Sequence, residues 1–164
     1  MEYVNIFVRP VNQHSLSDLV LCRRKKKDWS EGKYNLVGGK IKKGESPQEA
    51  ALRELKEETG LAPAFHGTER MMGNISGPWG LIHCFRVTVY KRDLTPAPGE
   101  EKSQDVAWMD WREMANHELL VPNLRVVIPM MSQGVEGWVI EDHGPTWDTS
   151  THSFKASVKC AISG

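Results

Sequence analysis

Three glutamates, Glu54, Glu57 and Glu58, stand at i, i+3 and i+4 in a stretch with helical patterning, so their carboxylates project from one side within about one turn. Unaccompanied, they repel one another. A solvated acidic face is the plainer explanation of such a trio, but the surroundings argue for more. Ala51 and Leu55 mark an adjoining core-facing side, and a glycine-rich turn and a further acid, Glu45, lie just ahead. Carboxylates gathered beside an exposed backbone carbonyl make a hard, oxygen-only cation site of the kind that suits Mg²⁺ or Mn²⁺. A cation there would remove the repulsion.

The elements that must hold these residues are legible around them. Ser46-Pro47-Gln48-Glu49 reads as a helix start, with Ser46 as N-cap, Pro47 in the first turn and Glu49 closing a capping box. The helix continues to Thr59, and Gly60 is the expected left-handed C-cap. Ahead of it, residues 2–9 and 18–23 read as strands, residues 24–33 as a basic polar loop, and 34–37 as a strand entering the Gly38-Gly39 turn. Beyond it, residues 82–90 and 105–111 read as strands separated by a Pro-rich, charged loop at 95–101. Residues 112–120 read as a short helix or turn and 123–131 as a second helix, which places helices on the flanks of a sheet. A terminal hairpin over 138–140 and 154–158 is expected, with no functional reading.

Length and composition exclude several classes. A chain of 164 residues with 40% hydrophobic and 26% charged residues reads as one globular domain. Lys plus Arg and Asp plus Glu are both 21, so the net charge is zero and no basic excess favours a nucleic-acid polymer or an anionic membrane. No apolar run approaches the ~20 residues that span a bilayer. Met1 to Asn5 show no basic-then-apolar leader, so a cytoplasmic location is expected. Cys22, Cys84 and Cys160 have neither zinc-site nor disulfide spacing and are read as reduced.

From Gly39, the pattern of five residues, Glu45, seven residues, then Arg53-Glu54-Leu55-Lys56-Glu57-Glu58-Thr59-Gly60-Leu61 resembles the Nudix box at every specified position. The resemblance covers about residues 2–131, leaving a C-terminal extension of about 132–164 in the same single domain. It implies an α/β/α sandwich around a mixed sheet, and metal-assisted hydrolysis of a nucleoside diphosphate linked to a further group. By position, Glu57 and Glu58 look like the main metal ligands, helped by Glu54 and the Gly39 carbonyl, and Arg53 would pair with Glu45. Metal is needed because water is a poor nucleophile and pyrophosphate an anionic leaving group. Glu54 is the first candidate for the general base, and Glu101 or Glu100 the second.

The spacing from Arg23-Arg24 to Gly38-Gly39-Lys40 resembles that of the MutT-like nucleoside triphosphate pyrophosphohydrolases within this family. That likeness implies substrate contacts at Arg24 and Lys40, although a basic loop also serves as plain solvated surface. Tyr34-Asn35-Leu36-Val37-Gly38-Gly39-Lys40 is similar to the Trp-Asn-Gly-Phe-Gly-Gly-Lys stretch of the oxidised-purine triphosphatases, which makes Asn35 a candidate base reader. Asn123 follows Pro122 where MutT-like members offer an amide to the purine edge; the alternative is a helix cap. Tyr34 for Trp and Val37 for Pro or Phe depart from the pattern. The expected substrate is a (deoxy)nucleoside triphosphate, such as an oxidised purine nucleotide, with monophosphate and pyrophosphate as products. Alternatives are an ADP-ribose, nucleoside diphosphate sugar or dinucleoside polyphosphate hydrolase, suggested by Pro78, and a nucleotide-binding module without catalysis. Monomer and homodimer are both compatible with the sequence.

Overall fold

The computed structural model describes residues 1–11, 18–25, 31–100, 104–142 and 156–160. In chain order they form β1 (Glu2–Pro10), β2 (Asp18–Arg24), β3 (Tyr34–Lys40), α1 (Pro47–Thr59), β4 (Arg70–Gly77), β5 (Gly80–Val89), β6 (Gln104–Asp110), α2 (Trp111–Met114), α3 (Leu124–Ser132), β7 (Trp138–Asp142) and β8 (Ala156–Cys160). The strands make one mixed sheet in the order β6-β2-β3-β1-β5-β4-β7-β8. β1 runs parallel to β5 and β4 parallel to β7, while the other neighbours are antiparallel.

Alternation along β1 explains the layers. Val4, Ile6 and Val8 join Val37, Phe85 and Val87 beneath Ala50, Ala51 and Leu55 of α1. Phe7 points the other way, joining Leu36 and Cys84 beneath Leu124, Val127, Ile128 and Met131 of α3. A strand buried on both faces reads as a nearly continuous apolar run, as β1 does. The result is the expected α/β/α sandwich. No described helix is long and apolar enough to cross a membrane.

Helix α1 begins and ends as its sequence predicts. Ser46 Oγ accepts from the Glu49 backbone at 3.2 Å, the Ser46 backbone donates to Glu49 Oε2 at 2.8 Å, and Gly60 caps the end at φ 73°. Elsewhere the structure differs. Strand β4 was not expected, because a bulge between Met71 and Gly73 breaks its two-residue alternation. A Cβ on Gly73 would overlap the Trp138 ring, so the parallel contact with β7 needs glycine there. The terminal hairpin forms, but β7 docks on β4, so the tail extends the main sheet. Its second strand is described over 156–160, and Phe154 lies outside the described residues.

Gly38 lies where β3 crosses closest to β1. Its φ is 153°, and a Cβ there would overlap the Val4 carbonyl oxygen, a backbone atom fixed in the sheet. Gly38→Ala is expected to destabilise the fold by about 2 kcal/mol or more, combining strain with overpacking. A urea titration that gave an unchanged midpoint would contradict this close approach.

Candidate active site

The site is built where the turn after β3 meets the second and third turns of α1. Arg53 projects from the helix into that turn and uses its whole donor fork. Its Nε donates to Glu45 Oε1 at 2.7 Å and its Nη2 to Glu45 Oε2 at 3.0 Å, a bidentate pair. Nη2 also donates to the Lys40 carbonyl at 3.1 Å. Nη1 is shared by Glu54 Oε1 at 2.7 Å and Glu57 Oε2 at 3.0 Å. The Lys42 ammonium stands 3.7 Å from the other Glu57 oxygen, and the Lys42 backbone N–H donates to Glu45 Oε2 at 2.9 Å.

The three glutamates of the helix are treated differently. Glu54 and Glu57 face Arg53, whereas Glu58 continues the Ala51–Leu55 stripe into the core and is only 4% exposed. Glu58 is fixed from separate strands. Its Oε2 accepts from the Gly38 backbone N–H of β3 at 2.9 Å and from the Cys22 thiol of β2 at 3.6 Å, while Oε1 accepts a short bond from the Gln104 amide of β6. Within the shared side of the helix, apolar packing at i, i+4 and i+7 takes Glu58 inward.

The electrostatics follow from these placements. Burial, with the charge of Glu54 adding to it, pushes the Glu58 carboxyl up to about 7 against the donors at Gln104 and Gly38. Burial also raises Glu54, opposed by Arg53. The Arg53 bond and the Lys42 N–H hold Glu45 down at about 2, and Arg53 is raised by its carboxylate partners. Burial, then the charge of Glu58, pushes the Cys22 thiol well up, so it is an inert packed group.

The donor set suits a hard divalent cation. All side-chain donors are carboxylate oxygens, and Gly39 lies so close to Glu54 that a Cβ would overlap the carboxylate, which brings a bare backbone against it. Among the described residues no three acidic, His or Cys groups already converge as ligands, because Arg53 and Gln104 hold the carboxylates instead. A cation at this place could draw on Glu54, Glu57, Glu58 and the Gly39 carbonyl.

The other expected residues are spread over the fold. Arg24 reaches the cluster indirectly, donating to Gln104 Oε1 at 3.4 Å. Lys40 contributes its carbonyl to Arg53 and exposes its side chain. Asn35 pairs with Cys22 on the α1 side of the sheet and accepts from the Leu36 N–H at 2.9 Å. Asn123 starts α3 on the opposite side; it makes no side-chain cap bond, and its Oδ1 is buried without a partner. Asn123 thus stands at the N-cap position of α3 without capping through its side chain. Glu101 lies outside the described residues. Glu100 is described, and its charge contributes to raising Glu54. Its loop is tied to the end of α1 by Thr95 N–H to Thr59 O at 2.9 Å and Ala97 N–H to Glu57 O at 2.7 Å.

A family model for the NUDIX domain matches residues 2–131. The chain belongs to the Nudix family. It is 36% identical over 97 residues to the oxidized purine nucleoside triphosphate hydrolase of Danio rerio, covering 56% of this chain and 58% of that one. It is 44% identical over 86 residues to the Mus musculus protein of the same name, covering 50% and 53%. The chain thus spans a little over half the length of these curated relatives. The mutator MutT protein of Bacillus halodurans shares the fold at TM-score 0.70 and 16% identity, with 96% of this chain and 97% of that one covered.

Within this Nudix site, sequence reasoning missed Gln104, Cys22 and Lys42. Only Lys42, three residues before Glu45 in the turn, had a local signal. The Arg53–Glu45 pair also gives a test. With its carboxyl held near 2 in the folded state, Glu45 contributes stability that is present above the ordinary carboxylate range, near 4.5, and lost as pH falls toward 2. Glu45→Gln should therefore flatten the acid side of a thermal-melt profile between those values, and an unaltered slope would count against the pair.

Proposed function

We propose that this chain is a Mg²⁺-dependent pyrophosphohydrolase of (deoxy)nucleoside triphosphates, with oxidised purine nucleotides as the favoured substrate class. The observation that carries the reading is the gathering of Glu45, Arg53, Glu54, Glu57 and a buried, strand-anchored Glu58 at one turn. Burying a carboxylate is costly without a task for it, and shifted groups cluster at functional sites. The names of the two curated relatives support the substrate class. The substrate is a small nucleotide, not a nucleic-acid polymer, and the setting is cytoplasmic.

Glu57 and Glu58, with Glu54 and the Gly39 carbonyl, are the groups that would hold the metal. When bound, a divalent cation supplies Lewis acidity toward phosphate oxygens and the attacking water. Arg53 keeps Glu54 and Glu57 from turning away from each other. Glu54, raised by burial, takes the proton of the water that attacks phosphorus, and Glu101 is the alternative base. The anhydride P–O bond then breaks, leaving monophosphate and pyrophosphate. Arg24 and Lys40 supply positive charge for the phosphates. Asn123, with an unpaired buried carbonyl oxygen, is the base-reading amide, and Asn35, on the other side of the sheet, is the alternative reader.

Incubation with Mg²⁺ and a panel of canonical and oxidised nucleoside triphosphates, ADP-ribose and diadenosine polyphosphates should release monophosphate and pyrophosphate from the triphosphates. Cleavage confined to the other two classes would overturn the substrate assignment. Glu57→Gln and Glu58→Gln should each lower kcat by about 100-fold or more while the protein stays folded, and a near-full rate in either would remove that residue from the metal set. Asn123→Ala should alter the ranking of bases, whereas an equal loss on all substrates would refute its role as a reader.

A further inference from the structure

We propose that Gln104 is a positioning residue for Glu58, setting the direction in which that carboxylate offers its remaining lone pair, on Oε1, to a cation. The inference rests on the reading of Glu58 as a metal-holding group. Gln104 opens β6 and is itself buried at 3% exposure. Its amide has a partner at each end: Nε2 donates to Glu58 Oε1, and Oε1 accepts from Arg24 Nη1 at 3.4 Å. The amide therefore has one orientation, because reversing it would set NH₂ against a guanidinium and C=O against a carboxylate.

Among the described residues no other donor reaches Glu58 Oε1, since Gly38 and Cys22 both serve Oε2. With a donor on each oxygen, the plane of the carboxylate is fixed. Without Gln104, Oε1 has no partner and the group is free to turn about the Gly38 bond. A partner that orients a ligating carboxylate in this way commonly affects metal affinity by about 10- to 100-fold. The same amide joins Arg24, a proposed phosphate contact, to Glu58, so one neutral side chain spaces a cationic group from the carboxylate.

The test is Mn²⁺ binding to the full chain, followed by the electron paramagnetic resonance signal of free Mn²⁺, for the wild type, Gln104→Leu, Gln104→Asn and Glu58→Gln. Gln104→Leu should weaken Mn²⁺ about tenfold or more. The Mn²⁺ concentration for half-maximal turnover should rise by a similar factor, with the plateau rate largely restored at high Mn²⁺. A purely structural role would lower the plateau instead and would overturn the proposal. Gln104→Asn, which keeps an amide but falls short of Glu58, should weaken binding in the same direction and decides the matter if the leucine variant does not fold. Wild-type Mn²⁺ affinity in a folded Gln104 variant, alongside loss in Glu58→Gln, would overturn the positioning role alone. Wild-type affinity in Glu58→Gln would overturn the metal assignment of Glu58, and the proposal with it.

Discussion

The fork of Arg53 is the interaction around which this site is arranged. A single planar guanidinium meets Glu45 bidentately, shares a nitrogen between Glu54 and Glu57, and closes on the Lys40 carbonyl. Acids within one helical turn would otherwise repel, at a cost that grows as water is excluded. Lysine could not replace it, because an ammonium is a point charge without the geometry to serve carboxylates on two sides at once. The same group ties three pieces of backbone together: the end of β3, the turn that carries Glu45, and the helix. The position of α1 along the sheet is thus set by charge as well as by the packing of Ala50, Ala51 and Leu55.

Glu57 and Glu58 are sequence neighbours in different surroundings. Glu57 is partly exposed between Arg53 and Lys42. Glu58 is buried among neutral donors that can fix its direction without cancelling its charge, and its carboxyl is pushed up to about 7. The sheet makes this possible. β3 pairs with both β1 and β2, and β2 pairs with β6, so Gly38, Cys22 and Gln104 reach one carboxylate from strands that are far apart in sequence.

What could be read from the sequence follows from the range of the forces involved. The start, end and core face of α1 depend on neighbours within four residues, and Ser46, Glu49, Leu55 and Gly60 announced them. The Glu45–Arg53 pair came from the family resemblance and is present as a hydrogen-bonded fork. Strand β4 was hidden by its bulge and glycines, because its pattern answers to Trp138 more than to its own alternation. The inward turn of Glu58 was available from its i+7 spacing to Ala51, yet the acidic character of the trio obscured it. Gln104 could not have been singled out: a lone glutamine at the head of a strand acquires its meaning only from Glu58 and Arg24, which the sheet brings to it.

The loop between β5 and β6 is anchored midway, at Thr95 and Ala97. Thr95 and Ala97 donate to carbonyls of the last turn of α1, and Gly60 leaves the space that Thr95 occupies. Residues 95–97 are therefore tied to the helix, while the Arg92 carbonyl accepts from Trp108 Nε1 of β6. Glu100, whose N–H donates to the Ala97 carbonyl at 3.1 Å, follows this anchor directly. The helix thereby holds in place the loop acid whose charge acts on its own Glu54.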